Sequence, residues 1–350
     1  MRNVKVWDEA RTAHFEMLRG MQPSTLVYRT ENYSFDEVLA QSVAHRRLSR
    51  LATARLLFRG HWDVIELNEP TMVKVWPSLV IYIASARLGA FIRRSKTEIV
   101  CYAIDNADVS ACLLSRKHVP RFISKWVMRR LIRRYDRVAF GTQGARQAYA
   151  EYDTHLDRHV DTAVIEQLPS VCDCGNVDDY RRPSVLFVSS LERRKGISEL
   201  MAAWDDLLYE GAYLTIIGKG PLEPEVSAWA ASRADVSLVI DPPRAAVHEA
   251  LRSHKVVSLL SQPQDCWREQ VGLPIVEGLS HGCLVVASEE TGVASWLSEH
   301  GHFVVRSGAS KAEIAEKLRS ALDSDRSPKS ITDQLPHRHM RVAADDWLRG

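Results

Sequence analysis

The chain lacks most features that would fix its class at a glance. Its longest apolar run, Val75 to Ala86, is 12 residues, contains Pro77 and is bounded by Lys74 and Arg87. A bilayer-spanning helix needs about 20 apolar residues, so this stretch is too short. The first residues, Met-Arg-Asn-Val-Lys-Val-Trp-Asp, hold no apolar signal core. No Gly-x-Ser-x-Gly or His-Glu-x-x-His pattern occurs, which removes the best-marked hydrolase and zinc-protease readings. Internal repeats and low-complexity tracts are missing too. The six cysteines (Cys101, Cys112, Cys172, Cys174, Cys266 and Cys283) show no metal-ligand spacing. Cys172 and Cys174 flank one Asp, too close for a good disulfide and without a second pair for zinc. No metal is expected, and free thiols in a reducing cytoplasm are the plain reading.

What is present describes a two-domain globular chain. A length of 350 residues exceeds one ordinary domain. Hydrophobic residues at 45% and charged residues at 26% are the balance of a soluble protein. The net charge of +2 conceals an asymmetry. Residues 1–150 carry 25 Lys/Arg against 13 Asp/Glu, and residues 151–350 carry 21 against 31. The two halves therefore suit different partners, or each other.

The second half alternates strand and helix patterns. Strands are predicted at Ser184–Val188, Leu214–Ile217, Val236–Ile240, residues 255–260, 283–287 and His302–Val305. Helices are predicted at Ile197–Leu208, Glu223–Ala231, Ala245–Ser253 and Val293–Glu299. Such alternation implies an α/β fold, a parallel sheet covered on both faces, with ligands at the carboxyl ends of the strands. The first half is less regular, with candidate strands at Thr25–Tyr28, Val64–Leu67, Glu98–Tyr102 and Arg137–Phe140. Pro, Cys, Asp, Gly and Asn cluster without periodicity between Leu168 and Pro183, which marks the boundary. The expected domains are 1–167 and 183–330, with a tail, 331–350, whose helix would cross back onto the first domain.

The most specific signal is Glu269-Gln-Val-Gly-Leu-Pro-Ile-Val-Glu277. Gly272 removes a side chain where the backbone must come close to something. Pro274 can open a helix, where a missing N–H costs nothing. One carboxylate then lies in a loop before a helix and the other one turn inside it. Helix-start amides face the same space, so hydroxyls and phosphates can be held together. A capped surface helix is the plainer alternative, but strand patterns on both sides of the motif favour a ligand site.

Residues 184–305 resemble the donor-binding domain of retaining GT-B glycosyltransferases, the family 4, group 1-like type. The matching stretches are Leu191-Glu-Arg-Arg-Lys195-Gly196, Ile216-Ile-Gly-Lys-Gly-Pro221, Glu269–Glu277 and Ala287 to Val293. The resemblance implies two Rossmann-like domains facing across a cleft. It implies transfer of a sugar from a UDP- or GDP-sugar to a sugar hydroxyl, with no cofactor. By it, Glu277 bonds the ribose and Glu269 the donor sugar. Lys195 neutralises the diphosphate, Gly272, Leu273 and Pro274 hold sugar and phosphate, and Ile240 lies near the base. Asp105, in Tyr102-Ala-Ile-Asp-Asn106, occupies the approximate place of the family's catalytic-region His. It would meet the acceptor or sugar there, or simply make a strand-end turn.

Two departures stand out. The family's Gly-Arg-Leu is here Ser189-Ser190-Leu191, with Arg193 and Arg194 as alternative cations. Its N-terminal Gly-rich loop is absent. Rival readings are a degenerate scaffold subunit and a nucleotide-sugar epimerase or hydrolase. Gly218-Lys-Gly-Pro-Leu-Glu223 has Glu223 at the third glycine position, which argues against NAD.

One further pattern concerns partners. Residues 116–137 hold nine Lys/Arg against one acid. Arg121, Lys125, Arg129 and Arg133 form a stripe, and Phe122, Ile123, Trp126, Val127 and Leu131 the neighbouring face. The helix is expected either to lie on an anionic membrane or to pack its apolar side inward. Membrane contact would suit a lipid-linked acceptor, with the protein peripheral on the inner face of the cell membrane. No nucleic-acid module is visible.

Overall fold

The computed structural model describes residues 2–31, 35, 37–175, 181–264 and 266–350. Part of the expected boundary segment, 176–180, lies outside the described residues. Two compact units emerge: Met1–Glu166 with Arg341–Gly350, and Gln167–Met340.

The first unit is a seven-stranded parallel sheet. Its strands are β1 (Asn3–Ala10), β2 (Thr25–Glu31), β3 (His45–Arg47), β4 (Val64–Leu67), β5 (Glu98–Ala103), β6 (Arg137–Phe140) and β7 (Asp161–Val164). Their order is β3-β2-β1-β4-β5-β6-β7. Three of these, β1, β3 and β7, lie outside the strand patterns predicted from sequence. The miss at β1 matters most, because it is a central strand, with Val4 beside both Thr25 and Ile65. Its apolar run is interrupted by Lys5, which is nevertheless buried.

Lys5 is buried because it is paired. Its ammonium bonds Glu66 of β4 and, at 2.5 Å, Asp345. Arg341 reaches Glu66 at 2.5 Å and Arg349 reaches Asp345 at 2.9 Å. Burial pushes the Glu66 carboxyl up, but Arg341 and Lys5 outweigh it and hold it at about 2. Asp345 and both arginines come from the helix Met340–Arg349, so that helix docks by charge as well as by Ala344 and Leu348.

The helix Trp76–Arg93 outruns the apolar stretch seen in the sequence. The span Val73–Arg93 is long and apolar enough to cross a membrane by length and composition alone. One side, including Leu79, Tyr82, Ile83 and Ala86, packs into the core, while Val80, Leu88, Phe91 and Ile92 stay exposed.

The second unit is a six-stranded parallel sheet. Its strands are β8 (Ser184–Val188), β9 (Tyr213–Ile217), β10 (Val236–Val239), β11 (Val256–Leu259), β12 (Leu284–Ser288) and β13 (Phe303–Val305). All six lie within a residue or so of the sequence patterns. Their order, β10-β9-β8-β11-β12-β13, reverses direction between β8 and β11. At such a switch point the loops leaving the two strands diverge and open a crevice at the carboxyl ends. The loop after β8 carries Lys195 and the loop after β11 carries Glu269. Apolar side chains on both faces, such as Leu186, Phe187, Val256, Val257 and Val285, bury the sheet. Each contributes about 1.5–3 kcal/mol by leaving water.

Candidate donor site of the second unit

The switch point brings the expected cation and carboxylate into contact. Lys195 Nζ lies 2.6 Å from Glu269 Oε2, and Ser261 Oγ donates to the same oxygen at 2.8 Å. Glu269 is 7% exposed. A buried carboxylate is costly unless paired and hydrogen-bonded, and here it is both. The approach depends on Gly196, which has φ +76°. A Cβ there would sit 1.9 Å from the Leu260 carbonyl oxygen. The Lys195 loop therefore packs directly on the end of β11, and the Gln262 amide donates to the Arg194 carbonyl at 2.9 Å.

The Gly-Leu-Pro turn does what its composition asks. Gly272 precedes the helix Leu273–Ser280 with φ +84°, a conformation that strains other residues. Leu273 is exposed at the helix start and Pro274 follows it inside the first turn. The Thr291 hydroxyl donates to the Val271 carbonyl at 2.6 Å, and the Gly292 amide to the Gln270 carbonyl at 3.0 Å. These bonds tie the turn to the loop after β12. Glu277 sits one turn inside the helix, half-buried, and is paired with Arg244 from the helix Arg244–Ser253. Ile240 follows the edge strand β10 and is partly exposed.

Three contributors carry no clear sequence mark: Ser261, Arg244 and Trp267. Arg194 stacks on the Trp267 ring with its guanidinium 4.5 Å from the centroid, and Lys195 Nζ is 4.8 Å from the same centroid. Glu192 accepts from Arg194 at 2.6 and 3.2 Å. The Arg194 guanidinium holds the Glu192 carboxyl below its usual range. Of the two arginines that follow Ser190, Arg194 is thus the one that shares an aromatic platform with Lys195.

Asp105 lies in the first unit, just after β5. Its Oδ1 accepts from the Ala107 amide at 3.1 Å, the contact of an Asx turn. Its own amide and that of Ile104 donate to Glu69, at 3.1 and 3.2 Å. Glu69 is buried, and burial with the neighbouring Asp105 charge pushes its carboxyl up to about 8. Sequence reading missed Glu69, since a lone Glu before Pro70 carries no pattern.

Residues 177–337 match the family model described as glycosyl transferases group 1. That stretch covers most of the second unit and less than half of the chain. The architecture is that of GT-B glycosyltransferases, two Rossmann-like domains. Solved structures agree on the fold over the full length. HepE of Anabaena, in complex with UDP and glucose, is 14% identical with a TM-score of 0.66, covering 99% of this chain and 95% of its own. The E. coli trehalose-6-phosphate protein bound with UDP-2-fluoro glucose is 13% identical with a TM-score of 0.69, covering 100% and 99%. The lipopolysaccharide outer core galactosyltransferase WaaB, in its apo form, is 12% identical with a TM-score of 0.67, covering 99% and 98%. No curated protein sequence matches the chain.

Proposed function

We propose that the chain transfers a sugar, with retention, from a nucleoside-diphosphate donor to a hydroxyl of a saccharide acceptor carried on a lipid. UDP-sugars are the first candidates, because the HepE and E. coli structures hold UDP or a UDP-sugar. The observation that carries this reading is the buried Glu269, gripped by Lys195 and Ser261 beside a helix start in the family-matched unit. Glu269 takes the donor sugar's hydroxyls and Glu277 the ribose, displacing Arg244. Lys195, Arg194 and the amides at Gly272 and Leu273 take the diphosphate. Ile240 lies beside the base.

The chemistry asks for this set. Breaking the bond from the anomeric carbon to the diphosphate builds negative charge on the leaving group. Preplaced cations and helix-start amides stabilise that charge as it forms. The departing phosphate accepts the acceptor's proton on the same face, so no protein nucleophile is required. Asp105, with Glu69 behind it, is assigned to the acceptor side.

The proposed location is the cytoplasmic face of an anionic membrane. The helix Arg121–Ile132 buries Ser124, Met128, Leu131 and Ile132, leaving Phe122 at 73% and Trp126 at 62% exposed. Trp126, Arg129, Arg130, Arg133 and Arg134 line a recess of about 580 Å³. Exposed aromatics among basic residues suit a lipid interface better than a packed core face.

The deciding test is a thermal-shift titration with UDP, GDP, ADP and dTDP on wild type and Glu277→Ala. A ligand at 100 times its Kd adds about 2.7 kcal/mol to the native state. A saturable shift with one nucleotide, lost in the variant, names the donor base. No shift with any nucleotide favours the scaffold reading instead. Donor consumed at full rate without acceptor would mean an epimerase or hydrolase.

A further inference from the structure

Behind the nucleotide site, the fold brings a close pair of cysteines together with two histidines that lie 76 and 107 residues further along the chain. Cys172 and Cys174 precede β8, His248 lies on the helix Arg244–Ser253, and His281 caps the helix Leu273–Ser280. One ligand atom from each lies within 4.8 Å of all the others. Cys172 Sγ is 3.8 Å from His248 Nδ1, Cys174 Sγ is 3.2 Å from His281 Nε2, and the two ring nitrogens are 3.0 Å apart. We propose that these four residues bind one zinc ion as a tetrahedral Cys2His2 site.

The surroundings orient His281 and hold the cysteine segment. His281 Nδ1 lies 2.7 Å from the Glu277 carbonyl oxygen, which can only accept. The proton therefore sits on Nδ1, and Nε2 turns its lone pair toward the cluster. An outer-shell carbonyl orients metal-bound histidines in this way. Arg252 donates to both the sulfur and the carbonyl oxygen of Cys174, at 3.0 and 3.2 Å, and so fixes that side chain's position. The Cys172 amide donates to the Ser280 carbonyl at 2.9 Å, which fixes the segment against the helix that ends there. His281 is buried, while Cys172 and His248 are half-buried and Cys174 is exposed, so an ion has a path inward.

The donor set selects the metal. Two thiolates and two imidazoles suit zinc, not the hard, oxygen-seeking magnesium or calcium. Bonds of about 2.0–2.3 Å to a central ion ask the four atoms to stand about 3.3–3.8 Å apart, so a spacing at the 4.8 Å limit closes by about 1 Å and the 3.0 Å nitrogen pair opens slightly. Binding releases the two thiol protons to solvent, and the ion's double charge is cancelled by the two thiolates. All four positions are filled by protein, so the ion is structural and offers no open site to substrate. It clamps the segment leading into β8 onto the two helices that carry Arg244 and Glu277. The spacing of that pair is then held from behind.

The test uses the full chain, purified without chelator. Metal analysis should find about one zinc per chain, as for a closed structural site. Cobalt(II) added to the stripped chain should give the visible bands of a tetrahedral ion with thiolate ligands. Cys174→Ser and His281→Asn should weaken zinc binding by more than about 100-fold, beyond the loss of an outer-shell partner. Zinc should also protect Cys172 and Cys174 from alkylation, read at the level of single peptides. That readout needs no variant and stands even if a substituted chain fails to fold. Wild type that holds no zinc and shows no cobalt bands overturns the proposal. So does a Cys172→Ser, Cys174→Ser chain that retains zinc like wild type, or recovery of the pair as a disulfide that takes no metal after reduction.

Discussion

The two units use the same parallel sheet, yet their central strands are made of opposite materials. β8 reads Ser-Val-Leu-Phe-Val and is buried by apolar contact on both faces. β1 reads Asn-Val-Lys-Val-Trp-Asp-Glu-Ala and is completed by Lys5, Glu66, Arg341, Asp345 and Arg349. An apolar core tolerates loss of a contact by partial collapse. A buried charge network tolerates it poorly, because the remaining partner is left uncompensated.

Glu66→Leu should therefore cost about 3–5 kcal/mol in the first unit, measured by urea unfolding. Leu186→Ala in the second should cost about 2–5 kcal/mol. The first penalty should shrink in acid as native Glu66 loses its charge, and the second should not. A Glu66→Leu cost below 1 kcal/mol would erase the contrast.

Next in size is Glu269→Ala. Turnover should fall about 100- to 1000-fold, the scale of losing one preorganised polar group in the transition state. Nucleotide affinity should change far less. Equal losses in both would reduce Glu269 to a binding contact.

The pH response sharpens the comparison within the first unit. Glu66, at about 2, contributes stability above its ordinary value near 4.5, and that contribution disappears as pH falls toward 2. Glu69, at about 8, behaves in the opposite sense. Its stabilisation is whole below 4.5 and is lost as pH rises through 8, by up to about 1.4 kcal/mol per pH unit. Glu69→Gln should remove the alkaline slope and leave the acid one. An unchanged slope would show that Glu69 is ionised when folded.

The smallest effects belong to the basic helix. Reversing Lys125, Arg130 and Arg134 to Glu should weaken sedimentation with anionic vesicles by about 1 kcal/mol per residue. Arg133 and Arg129 make poorer probes, since Asp153 holds them at 2.5 and 3.6 Å. Undiminished sedimentation would remove membrane contact from the proposed function.

The same contrast explains what could be read from the chain. In the second unit each strand is a short apolar run between turn residues, so all six strands and the Glu269–Glu277 turn are visible in the sequence. In the first, Lys5 hides a central strand because its partners are 61 and 340 residues away. The edge strands β3, all polar, and β7, half polar, are short and lack the apolar run that marks a buried strand. Ser261 and Trp267 join the site only through the way two loops pack. The cysteine pair looked idle because its histidine neighbours lie 76 and 107 residues downstream.

The helix that closes the first unit follows the whole of the second in the chain. On a ribosome, residues 1–166 emerge early, but Lys5 and Glu66 wait for Arg341, Asp345 and Arg349 until everything between has been made. The second unit can fold first. Until translation reaches those last turns, the nascent first unit carries a charged seam with no cover, and chaperones have that interval in which to hold it.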